Sequence, residues 1–248
     1  MIRQSGVGRK FSENCELRLI RLHQNAESPL RIFYLAIFYS SLCFYRFFIP
    51  RMKINDLRPV NRMYRPNLLT KKILFNLGAN NSFRVLEIDQ KRLSRKSRKF
   101  HMLRQKINQA NRFQYTTKII FGSQAVETLK MFEKEHTWWR LEREFDLISQ
   151  IAAESLVSVA VYDTQNSIIS VATCHLGKET SQLLFLLTNR RGAARWFAFE
   201  TLLKFLGQEN FAKLVCDSLI YLDFNGYLFQ KHLGFKTYNV NFSYINEQ

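Results

Sequence analysis

Acidic residues are nearly missing from the first 112 positions, which hold 6 Asp/Glu against 24 Lys/Arg, a net charge of +18. From residue 113 onward the balance is 14 against 13, a net of −1. The split excludes one charge role for the whole chain. It sets a region suited to polyanions, nucleic acid or anionic lipid headgroups, ahead of an ordinary neutral globular one. Proline and glycine are also scarce, 4 and 9 residues of 248, and 46% of the chain is hydrophobic, which excludes a disordered protein. The four cysteines (Cys15, Cys43, Cys174, Cys216) include no C-x-x-C pair. His175 follows Cys174 directly, but neighbours on a strand point to opposite faces and cannot share a metal. The pattern argues against a structural zinc or a disulfide framework, and for reduced thiols in the cytoplasm. No metal is expected. The five histidines are scattered and no G-x-S-x-G occurs, so no hydrolase triad is readable.

What is present divides the chain in three. Residues 1–90 are a basic N-terminal region with a candidate helix near Glu16–Gln24 and an aromatic-rich apolar segment at 30–50. That segment has 14 uncharged residues, Ile32 to Tyr45, where a spanning helix needs roughly 20. It suits a buried or interfacial element before a true membrane span, or two strands hinged at Ser40-Ser41, and it is where the protein would associate with a membrane. Met52 is an alternative start. Pro59 and Pro66 break the following stretch, with strands expected at Leu74–Leu77 and Arg84–Ile88. Residues 91–112 hold nine Lys/Arg and no acid, with Leu93, Phe100, Leu103, Ile107 and Ala110 at helical spacing. This spacing predicts a basic amphipathic helix, either a docked surface helix with solvated cations or a grip on RNA or anionic lipid.

From residue 113 the elements alternate. A strand at Tyr115–Phe121 leads to a helix capped by Ser123. Trp138-Trp139 and Glu142 to Ala153 continue as helix or loop. Three strands come next (Leu156–Tyr162, Ile168–His175, Ser181–Thr188), separated by turn-rich Asp163–Asn166 and Gly177–Thr180. A helix from Arg191 ended by Gly207, a strand at Ala212–Cys216, a helix over Asp223–Leu233 ended by Gly234 and a strand from Phe235 complete an α/β order.

Two motifs stand in that order. After the third meander strand comes Leu187-Thr188-Asn189-Arg190-Arg191-Gly192-Ala193-Ala194, where small residues and free helix-start N–H groups suit a phosphate. Near the end comes Asp223-Phe224-Asn225-Gly226-Tyr227-Leu228-Phe229-Gln230, then Leu233-Gly234-Phe235. In both, residues 113–248 resemble the GNAT acyltransferase superfamily, with its Gln/Arg-x-x-Gly-x-Gly/Ala loop and its Asn-x-x-Ala…Leu-Gly-Phe helix. Asn189 departs at the loop's first position, Asp223 takes the Asn position and Gly226 the Ala. Gln230 stands where many members carry a tyrosine that protonates the leaving thiolate, and an amide cannot do that.

The resemblance implies a mixed central sheet flanked by helices and an acyl-CoA-dependent N-acyltransferase acting on an unidentified amine. Acetyl-CoA or another acyl-CoA would lie along Leu187, Thr188, Asn189, Arg190, Arg191, Gly192, Ala193 and Ala194, with Asn225 on the covering helix. Glu142, Glu144 or Asp217 would accept the amine proton, and Tyr227 or Tyr221 would replace the missing tyrosine. The charge asymmetry leaves two alternatives: a non-catalytic GNAT-like domain whose basic region binds nucleic acid or an anionic membrane, or a Fem-like transferase using aminoacyl-tRNA.

Overall fold

The turn-bounded apolar runs fold as strands close to their expected limits. The computed structural model describes residues 15–18, 33, 37, 40, 41, 44, 45, 48–57, 82–88, 101–136, 153–189, 193–218 and 224–242. Among these residues eight strands build one mixed sheet: β1 (Arg51–Ile54), β2 (Ser82–Glu87), β3 (Thr116–Phe121), β4 (Leu156–Tyr162), β5 (Ile168–Leu176), β6 (Thr180–Thr188), β7 (Lys213–Ser218) and β8 (Lys236–Phe242). Their order is β1-β8-β2-β7-β6-β5-β4-β3. The β3 to β6 pairs are antiparallel, β6 pairs β7 in parallel, β2 is antiparallel to both β7 and β8, and β1 is parallel to β8. The four principal helices are α1 (His101–Asn111), α2 (Ser123–Glu135), α3 (Ala193–Gln208) and α4 (Phe224–Leu233).

Two faces are covered. One core joins Leu103 and Ile107 of α1, Phe199 and Leu202 of α3, and Phe229 and Leu233 of α4 to Val159, Cys174, Leu183 and Leu214 of the sheet. The other joins Ala125, Leu129 and Phe132 of α2 to Leu156, Val171, Leu184 and Phe185. α1 confirms the described half of the expected apolar stripe: Leu103, Ile107 and Ala110 are all buried. Phe199 sits at the centre, with ring contacts to Phe229 at 5.7 Å and Phe235 at 6.1 Å.

Helix ends differ from expectation in two places. Ser123 is the first residue of α2, not its cap. Gly122 precedes it at φ 66, a left-handed conformation that glycine tolerates best. Gly207 lies buried inside α3 and does not end it. Termination falls to Asn210 at φ 63, with Phe211 N–H donating to Leu206 O at 2.9 Å and Asn210 N–H to Gly207 O at 3.2 Å. That is a Schellman motif with asparagine in the glycine position. α4 ends the same way at Gly234, φ 88, as the sequence implied.

The N-terminal region is not separate from the sheet. β2 lies between β7 and β8, so the sheet crosses the boundary expected near residue 113. Ser40 and Ser41 are helical, as are Phe33, Ile37, Phe44 and Tyr45, so no strand hinge forms there. The physical reason is that a two-residue hairpin needs φ > 0 residues, which serine rarely supplies. Leu74–Leu77, Lys91–Phe100 and Trp138–Ile151 lie outside the described residues. After β1, the Asp56 carboxylate accepts the Glu179 and Thr180 N–H groups, both at 2.8 Å, and stitches the β1 end to the β5–β6 turn. Gly177 makes this approach feasible, since a Cβ there would stand 2.6 Å from Asp56 O.

A buried charged cluster fastens the first residues. Glu16 Oε1 accepts from the Tyr45 hydroxyl at 2.6 Å, and its Oε2 accepts from the Tyr227 hydroxyl at 2.6 Å and Arg84 at 3.0 Å. Arg84 also donates to Thr237 Oγ1 at 2.9 Å and Phe235 O at 2.8 Å, with its guanidinium 4.9 Å from the Tyr227 ring centroid. Glu16 and Arg84 are 4% and 2% exposed, so each needs the other.

Candidate functional site

β6 and β7 begin as a parallel pair and then part. Only Thr180↔Lys213, Ser181↔Leu214 and Gln182↔Val215 are in register. β6 continues to Thr188 on β5, while β7 continues to Ser218 on β2, so Leu183–Thr188 has no β7 partner. Each strand is irregular where they separate. On β6 the register passes from Thr173↔Phe185 to Cys174↔Leu183, which leaves Leu184 as an extra residue. Leu184 and Phe185 accordingly both pack toward α2, while Leu183 and Leu186 pack on the other face. On β7 the register passes from Phe83↔Ser218 to Val85↔Val215, again one residue too many on β7. Bulges bend strands and raise local twist, so two of them facing away from each other open a wedge.

The wedge opens at the carboxyl ends of parallel strands. β6 leads into α3 and β7 into α4, so both helices present their N-terminal N–H groups on that side. Such a crevice is where open α/β sheets bind ligands, and paired helix starts favour an anion. Ala194 is fully buried, which seats the first turn of α3 tightly. Arg195, next to it, holds its guanidinium 4.8 Å from the Phe229 ring centroid and 5.7 Å from that of Trp196. The contact ties the first turn of α3 to the middle of α4. Arg195 was not singled out from the sequence; it lies in the first turn of α3, one residue beyond the small pair Ala193-Ala194.

Two carboxamides flank the base of the wedge. Gln230 on α4 is 5% exposed and its Nε2 donates to Cys216 Sγ at 2.9 Å, but among the described residues its Oε1 has no hydrogen-bond partner. Gln182, in the last β6–β7 pair, is 3% exposed and its Oε1 is likewise unpartnered. Burial pushes the Cys174 thiol well above its ordinary value, with Cys216 adding to it, so Cys174 is an inert core thiol. Burial lowers His175 from its ordinary value against a smaller opposing pull from Asp56. Gln230→Met is expected to keep or raise the melting temperature, because it removes a buried oxygen that nothing pairs. A loss above about 1 kcal/mol in urea melts would show that the amide is fully satisfied.

The residues singled out from the sequence are not all brought together. Leu187 is buried, with its carbonyl accepting the Ser170 hydroxyl at 2.6 Å. Thr188 donates to Ile169 O at 3.4 Å and Asn189 N–H to the same oxygen at 2.9 Å. Together with Ala193 and Ala194 these residues line up at the β6 end and the α3 start, and Asn225 is exposed in the first turn of α4. Arg190, Arg191, Gly192, Glu142, Glu144 and Tyr221 lie outside the described residues. Asp217 is placed by its backbone on the bulged part of β7. Tyr227 is fully buried and donates its proton to Glu16, so it holds the N-terminal cluster together instead of standing ready as an acid.

No protein-family model matches the sequence, and no curated protein matches it. Solved structures do. The C-terminal domain of a protein assigned as a lysylphosphatidylglycerol synthetase from Agrobacterium fabrum matches with TM-score 0.50 and 13% identity, over 67% of this chain and 62% of that one. L-PGS from Bacillus licheniformis matches with TM-score 0.45 and 9% identity, over 63% and 57%. A Trypanosoma brucei acetyltransferase matches with TM-score 0.34 and 13% identity, over 54% of this chain and 96% of that one. The chain thus spans less than two thirds of either of the first two structures. At 13% identity the first likeness shows the fold: a GNAT-like mixed sheet flanked by helices.

Proposed function

We propose that this chain is a transferase that moves an acyl group onto an amine, with the donor lying in the β6–β7 wedge. The observation that carries the reading is the wedge itself, a bulge-made gap at parallel strand ends with two helix starts beside it. In the first form the donor is an acyl-CoA. Its pyrophosphate would meet the α3 N–H groups, Arg190, Arg191 and the small residues Gly192 to Ala194. Backbone N–H groups near Leu187–Thr188 would polarise the thioester carbonyl. The attacking amine must be neutral, and Glu142, Glu144 or Asp217 would take its proton. With Gln230 at the tyrosine position, the departing thiolate would be protonated by solvent. Calorimetry with acetyl-CoA tests the donor directly: saturable binding is expected, and no heat at millimolar ligand would sink it.

A second reading, in which the donor is an aminoacyl-tRNA, rests on a different observation. α1 is seated through Leu103, Ile107 and Ala110 beside α3, on the face that also carries α4. It brings the end of the basic run onto the sheet face whose helices start at the wedge, where the run would meet a polyanion. The Agrobacterium fabrum protein, by its name, makes a lysylated lipid, which is compatible with an aminoacyl donor. Lys96→Glu with Arg98→Glu is expected to weaken tRNA binding about tenfold and to flatten the salt slope by roughly 1.5 to 2 log units per log unit, as for two lost phosphate contacts. The melting temperature should barely move. Unchanged affinity with a lowered melting temperature would mean that these cations serve the fold.

A further inference from the structure

Three buried polar atoms on one patch of the sheet have no hydrogen-bond partner among the described residues: Ser82 Oγ, Arg84 Nε and Asn239 Oδ1. Ser82 pairs with Asn239 across β2 and β8, and Arg84 with Thr237 one step along. Phe83, Val85, Tyr238 and Val240 pack on the opposite face. Alternation therefore sets Ser82, Arg84, Thr237 and Asn239 side by side on the face where Arg84 meets Tyr227 of α4. Arg84 uses Nη1 on Glu16 and Thr237 and Nη2 on the Phe235 carbonyl, which leaves Nε, the guanidinium nitrogen nearest the strand. Ser82 is fully buried and Arg84 nearly so. One orphaned polar atom is an ordinary cost of folding, but three on neighbouring residues point to a molecule that they hold.

The patch reaches the edge of the sheet. Asn239 is also in register with Arg51 of β1, the outer strand, and Arg51 is exposed. Met52 and Ile54 pack on the opposite face, so Arg51 shares the face of Asn239. A polar row thus runs from solvent at Arg51 through Asn239 and Ser82 to the buried arginine. Its chemistry is asymmetric. β2 offers two donors, Arg84 Nε–H and the Ser82 hydroxyl, while β8 offers an acceptor, Asn239 Oδ1, one strand spacing of about 5 Å away. Charge narrows the ligand further. Glu16 already balances Arg84 at 3.0 Å, so a lone anion or cation would bring an uncompensated charge into burial. A zwitterion would not, and an α-amino acid carries its carboxylate and ammonium on one carbon, at the spacing the two strands offer.

We propose that this patch binds a free α-amino acid, its carboxylate accepting from Arg84 Nε–H and the Ser82 hydroxyl and its ammonium donating to Asn239 Oδ1. The proposal does not rest on the acyl-transfer reading, and its test needs no acyl donor. The full chain is melted with each of the standard L-amino acids at about 10 mM, beside acetate and methylammonium at matched ionic strength. At least one amino acid is expected to raise the melting temperature by about 2 °C or more, and the two half-ligands are expected not to. Ser82→Ala and Asn239→Leu, made separately, should each weaken binding of that amino acid at least about tenfold in calorimetry. Their unliganded melting temperatures should hold or rise, because each change removes a buried atom that nothing in the protein pairs. The two changes lie on different strands, so the test survives if one variant misfolds. The proposal is overturned if no amino acid moves the wild-type melt, if acetate or methylammonium gives the full shift, or if both variants bind as tightly as the wild type. It is equally overturned if both variants melt lower without ligand, which would show that the three atoms are satisfied by structural water.

Discussion

Glu16→Ala is expected to destabilise the fold by about 3–5 kcal/mol, because it strands a buried arginine. The carboxylate receives two phenols and a guanidinium, and Arg84 keeps only Thr237 and a backbone carbonyl when it is gone. Removing both charges should cost far less. Arg84→Met combined with Glu16→Met takes away the unpaired charge and leaves apolar volume, which in other buried pairs is close to neutral. Urea melts of the two single variants and the double variant, read as a cycle, measure the coupling. A Glu16→Ala loss below about 1 kcal/mol would mean that residues 15–18 are not held against Arg84 in solution.

Gly192→Glu should abolish most donor binding under the acyl-CoA reading, by on the order of tenfold or more, with folding intact. Gly192 directly precedes α3 in the sequence, and the first turn of that helix holds the fully buried Ala194. A carboxylate would meet the phosphates head-on and would also occupy the favourable end of the helix dipole itself. Calorimetry with acetyl-CoA on the variant, beside an unchanged melting temperature, checks it. Equal affinity in variant and wild type would move the anion site away from the 189–194 loop.

Much of the architecture could be read from turn chemistry. Asp163 accepts the Gln165 and Ser167 N–H groups, both at 3.0 Å, and Asn166 takes φ 63, so the residues that marked the β4–β5 turn are those that make it. Gly234 marked the end of α4 for the same reason. The wedge was legible only as a motif-based expectation for the loop beyond β6. Its bulges were not, because Leu183 to Leu187 is apolar throughout and buried on both faces, and a phase slip in such a run leaves no trace in polarity. The Glu16–Arg84 pair was invisible for another reason: its members are far apart in sequence, and each alone reads as a solvated charge.

The insertion of β2 between β7 and β8 sets the order in which the molecule can be built. β2 emerges from synthesis long before either neighbour, since Phe83 must wait for Ser218 on one side and Tyr238 on the other. Until then it is a strand with two open edges, a state that invites wrong pairing. The last strand cannot close the sheet on β7 by itself, because its slot there is already assigned. A chain cut near Phe113 would therefore be an unfinished sheet and not a smaller domain. Pairings so distant in sequence also predict slow folding with late, all-or-none closure, in which early and late segments of the chain become structured together.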